Sequence, residues 1–80
     1  MSRIPKVERE GVLGGLTTQS ASEWYRFMAD EVYFAGDALK SSEYISRAEA
    51  LERSPTGSVH SKELEKEIKK WELKRSDESS

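Results

Sequence analysis

The side chains able to do chemistry are few and poorly matched to one another. Asp30 and Glu31 are adjacent, so on a helix their carboxylates point about 100° apart and do not converge on one substrate. Glu63 and Glu67 share a helix face, but lysines surround them in a surface pattern. With 15 acidic residues in the chain, pairs of this kind arise by chance. The chain has one histidine, His60, and no motif supplies it with a nucleophile or an orienting acid. Gly11, Gly14 and Gly15 precede no GK[ST] and open no strand-to-helix unit, so they are not a phosphate loop. The chain has no cysteine, which excludes disulfides, thiolate zinc sites and cysteine nucleophiles. The expectation is a protein that is not an enzyme and holds no metal or cofactor.

Two clusters suit recognition instead. Lys69, Lys70, Trp71, Lys74 and Arg75 place basic groups around an aromatic, the arrangement in which lysines meet phosphates and an indole stacks on a base. Glu65, Glu67 and Glu72 interleave with them. The second cluster is aromatic: Trp24, Tyr25, Phe27, Tyr33 and Phe34 fall on one short stretch. Aromatics anchor protein interfaces because they bury large areas at low entropic cost. Trp24, Phe27 and Phe34 form a stripe that Glu31 interrupts, which places them at the edge of a core, facing a partner. Ahead of them Val12, Leu13 and Leu16 sit among glycines, apolar anchors on an adaptable backbone that suit a docking peptide.

The elements that must position these groups are helical. Ser20 with Glu23 three residues on is a capping-box pattern, although two preceding threonines let the start slip by a turn. From there Ala21, Tyr25, Met28, Val32, Ala35 and Leu39 step alternately by four and three, a heptad seam. The same spacing beyond Leu39 lands on Ser42, Ser46, Glu49 and Arg53, all polar. A break is therefore expected between Gly36 and Ser42, followed by a second helix with Tyr44, Ile45, Ala48 and Leu51 as its stripe. Ser54-Pro55-Thr56-Gly57-Ser58 is a reversal. A third helix follows, capped by Ser58 or Ser61, with the thin stripe Leu64, Ile68 and Trp71. The expected spans are 20–38, 41–53 and 59–75. The fold class is all-α, a helical hairpin plus a third helix. Its domain spans 19–75, between a flexible N-terminal arm at 1–18 and a polar C-terminal tail at 76–80.

Trp24-Tyr25, then Gly36-Asp37, then Pro55 resembles a single tetratricopeptide-repeat hairpin, with aromatic entry, glycine at the turn and proline at the end. The gaps from Trp24 to Gly36 and from Gly36 to Pro55 are both too long for that repeat. Glu43 and Arg47 stand where it packs small or apolar residues, and the hairpin is alone where such repeats stack. No family is claimed on it.

Size and charge bound the remainder. The chain has 80 residues, 35% apolar and 35% charged, and 13 basic against 15 acidic residues give a formal charge of −2. A chain this small has a marginal core and often needs a partner. The acidic balance argues against a general nucleic-acid binder. No apolar run reaches the ~20 residues of a membrane span, and the first residues are too polar for a signal peptide. The expectation is a cytoplasmic protein–protein interaction module: a small adaptor, an assembly subunit or an inhibitor, with a phage-encoded inhibitor in a host cytoplasm as one instance. Its partner is another protein or a second copy of itself, and neither a membrane nor a small-molecule substrate. The rival is a nucleic-acid accessory factor acting through Lys69–Arg75.

Overall fold

The computed structural model describes residues 4–11 and 14–79, with side chains through Lys74. The element order is β1 (Leu16–Thr17), α1 (Thr18–Phe34), α2 (Ala38–Arg53), β2 (Ser58–Val59) and α3 (Lys62–Ser79). The fold is all-α with one minimal antiparallel strand pair, in which Leu16 faces Val59 and Thr17 faces Ser58.

Each helix begins where a side-chain oxygen takes up an orphan amide. Thr17 caps α1, accepting from the Ser20 N–H at 3.1 Å. Ser20 was the expected cap, and it has a different task. It is buried; its hydroxyl donates to the Lys6 carbonyl at 2.8 Å and accepts from the Glu8 N–H at 3.2 Å. Asp37 caps α2 through the Lys40 N–H at 3.1 Å. Ser61 caps α3, accepting from the Leu64 N–H.

The break after α1 falls at the early end of the expected interval. The Asp37 N–H reaches back to the Val32 carbonyl at 2.8 Å and the Gly36 N–H to the Tyr33 carbonyl at 3.0 Å. This is a Schellman pair of bonds around a residue in the left-handed region, Gly36 at φ 94°. The helix thus ends at Phe34, little more than one turn short of Leu39, where the seam would have carried it. Asp37 both closes α1 and opens α2, so the two helices fold back as an antiparallel hairpin.

The core holds Leu16, Ala21, Trp24, Tyr25, Met28, Ala29, Tyr44, Ala48, Leu64 and Ile68, with Phe27, Val32, Leu51, Val59 and Trp71 packed around it. Helix α1 buries two faces. Tyr25 stacks on Tyr44 of α2, centroids 6.0 Å apart. Phe27 meets Trp71 of α3 edge-on at 5.0 Å and Trp24 at 5.5 Å. The heptad seam therefore holds through Val32 and fails beyond it: Ala35 and Leu39 lie outside α1, and Leu39 is 82% exposed.

The chain ahead of α1 joins the same core. Leu16 is wholly buried, and the Thr17 N–H donates to the Glu8 carbonyl at 3.0 Å. Arg9 grips Glu65 of α3 through two bonds, at 2.8 and 2.6 Å. Gly15 is needed at its position because any Cβ there would overlap the Val59 carbonyl of β2.

Candidate protein-binding surface

Three large apolar side chains stand in water on the residues that flank the turn from α1 into α2. Phe34 is 86% exposed, Tyr33 62% and Leu39 82%. The Phe34 and Tyr33 rings meet edge-on at 6.2 Å. Their exposure follows from the helix stop: Phe34 is the last residue of α1, and Leu39 is the second of α2, so neither has a neighbouring helix to cover it. Helical spacing sets Asp30 and Glu31 beside Phe34, four and three residues back, and Glu43 beside Leu39. Asp37 caps the corner. The surface is an apolar knob in an acidic collar, with Lys40 the cation next to Leu39.

The other residues expected to bind a partner lie elsewhere. Trp24 is corrected outright: at 1% exposure it is among the largest buried side chains, clamped by Phe27. Its indole N–H has no hydrogen-bond partner among the described residues. Phe27 is half-buried between Trp24 and Trp71. Leu16 is a core residue and is not available as a docking anchor. Val12 and Leu13 lie outside the described residues. Glu31 is exposed, as its place beside Phe34 requires. Sequence reasoning counted Tyr33 among the aromatics but left it out of the binding stripe, and assigned Leu39 to the seam. The signal that would have found both was Gly36-Asp37 itself: a glycine stop there ends the seam and strands whatever flanks it.

The basic cluster is rearranged in a different way. Trp71 is half-buried, donates its indole N–H to Glu67 at 3.0 Å, and carries the Lys74 ammonium 4.8 Å above its ring. It is therefore not free to stack on a base. The Arg75 side chain lies outside the described residues. Of the acids that interleave in sequence, Glu65 is engaged by Arg9 and Glu67 by the Trp71 indole, while Glu63 at the start of α3 is held by the Tyr44 hydroxyl and Arg47. The Arg9 guanidinium, through its hydrogen bonds and charge, holds the Glu65 carboxyl below its usual range. At 100° per residue, Lys62, Lys66, Lys69 and Lys70 are left together on the outer face of α3, with exposed Leu73 among them. Sequence order had hidden this segregation.

The groups considered for catalysis do not converge. His60 is exposed, its Nε2 3.4 Å from the Ser58 hydroxyl, and no carboxylate hydrogen-bonds its ring among the described residues. Asp30 and Glu31 belong to the acidic collar. Among the described residues no group of three or more His, Asp or Glu side chains is placed to hold a metal, and no helix is long and apolar enough to cross a membrane. An indentation of about 420 Å³ by the N-terminal segment lies against Trp24 and Trp71 beneath Ile4, Pro5 and Val7. No protein-family model, curated protein or solved structure matches the chain.

Proposed function

We propose that this chain is a non-enzymatic protein–protein interaction module, a small adaptor, assembly subunit or inhibitor, whose binding surface is the α1–α2 corner. The observation that carries the reading is the exposure of Phe34, Tyr33 and Leu39 together, while the core closes without them. Large apolar side chains exposed at one turn of a small protein are the usual mark of an interaction site. The Schellman turn holds the two helix ends in fixed relation, so the knob is presented rigidly and loses little entropy on binding.

The test is a comparison of baits in a native extract: the wild-type chain against Phe34→Ala, with co-purifying proteins identified and the melting of each bait recorded. A partner retained by the wild type and lost by a Phe34→Ala bait of unchanged melting supports the reading. Equal capture by both sinks it.

A further inference from the structure

The molecule carries two surfaces of opposite character. The first is the acidic-collared knob of Phe34, Tyr33 and Leu39. The second is an open groove of about 550 Å³ on the first two turns of α3, lined by His60, Ser61, Lys62, Glu65, Lys66 and Lys69. The aliphatic stems of its lysines supply apolar walls and their ammonium groups a basic rim. The one acid in the lining, Glu65, is already engaged by Arg9. An enclosed cavity of only about 150 Å³ takes a benzene ring, so this groove has room for the Phe34 phenyl.

We infer that the knob of one molecule seats in the lysine groove of a second copy, head to tail. This inference rests on the corner being a protein-binding surface and names its occupant. Asp30, Glu31 and Asp37 around the knob would face Lys62, Lys66 and Lys69 around the groove, and an ammonium over the exposed Phe34 ring adds a cation–π contact. A symmetric knob-to-knob dimer is disfavoured, because it would set the acidic collar against itself. A molecule cannot fill its own groove. The knob is at the C-terminal end of α1, while α3 leaves from β2, which pairs with β1 at the N-terminal end. The 17 residues of α1 separate those ends, about 25 Å. The contact is heterologous, so it propagates into open chains or closes as a ring.

Sedimentation of the full chain at low salt, over rising concentration, tests this. The mass of the wild type should climb past two chains and fall when salt is added. Phe34→Ala should weaken association about 30-fold or more, as should the double variant Lys66→Glu with Lys69→Glu, each keeping wild-type helicity. Mixed in equal amounts, these two variants should form a one-to-one pair and go no further, since one retains an intact groove and the other an intact knob. Self-association that survives both variants, or a mixture that stays monomeric, overturns the head-to-tail contact. So does a wild-type chain that is monomeric at millimolar concentration while a duplex oligonucleotide binds its lysine face. A monomeric wild type whose Phe34→Ala form loses a captured partner overturns this contact alone. Loss of neither overturns the corner as a binding surface as well.

Discussion

Trp24 and Phe34 share one helix and one residue class, yet one is 1% and the other 86% exposed. Their truncations should separate cleanly. Trp24→Ala removes a fully buried indole and should cost about 3–5 kcal/mol, enough to unfold much of a chain this small. Phe34→Ala should change stability by no more than about 0.5 kcal/mol. Thermal melts of the two variants, side by side, check the pair of expectations. Tyr44 offers a test by pH. Burial, then the hydrogen bond to the Glu63 carboxylate and its charge, push the phenol well above its usual range. The fold therefore favours the protonated phenol. That contribution is fully present below about pH 10, the ordinary phenol value, and is lost as pH rises beyond it. Alkaline melting should steepen above that point in the wild type and flatten in Tyr44→Phe. The opposite sign holds for Glu52 and Glu65, whose carboxyls are lowered by hydrogen bonds from Arg26 and Arg9. Their contribution is present above the ordinary carboxylate range and lost as pH falls through it.

The helix ends are where short-range chemistry and tertiary packing meet. Thr17 and Ser20 both belong to the start of α1, but only Thr17 caps it. Thr17→Ala should cost about 1 kcal/mol of stability. Ser20→Ala should instead loosen the segment it holds, seen as faster hydrogen exchange at the Glu8 amide with the α1 amides little changed. At the corner, Asp37→Ala removes the α2 cap at a similar cost of about 1 kcal/mol. Gly36→Ala forces a side chain into the left-handed region at φ 94°, worth roughly 1–2 kcal/mol. Circular dichroism melts measure both. The Gly36 variant carries added interest, because it should also disturb the presentation of Phe34 and Leu39.

The molecule as a whole is unevenly bonded. Helices α1 and α2 share the long Tyr25, Met28, Tyr44 and Ala48 interface, fastened outside by Arg26 and Glu52. Helix α3 is pinned chiefly by Leu64, Ile68 and Trp71, with the Arg9–Glu65 grip and the two-residue strand pair beside it. Native-state hydrogen exchange should therefore show α3 amides opening at lower free energy than those of α1 and α2. Equal protection across all three helices would mean that α3 is held more firmly than these contacts imply.

Much of this was legible residue by residue. The helical count, the break near Gly36 and Asp37, the reversal at Pro55 and Gly57, the stripe of α3 and the stripe of α2, apart from Ile45, which is exposed, all follow from periodicity and from capping and turn chemistry. These are local rules, operating within a turn or two of chain. What sequence order did not reveal depends on which distant groups meet. Trp24 is buried because Phe27 and the incoming Trp71 close over it, and the thinness of α3 in sequence had concealed that cover. Leu16 enters the core because Gly15 lets β1 lie against β2. The acids of α3 turn from apparent neutralisers into bonded flank residues because Arg9, Tyr44 and Arg47 reach them across the fold. Phe34 and Leu39 stay in water because the chain stops α1 before any partner helix can cover them. Local propensity sets where helices begin and end; which of their faces is left over is a property of the packed whole, and in this chain the leftover faces are the ones available for binding.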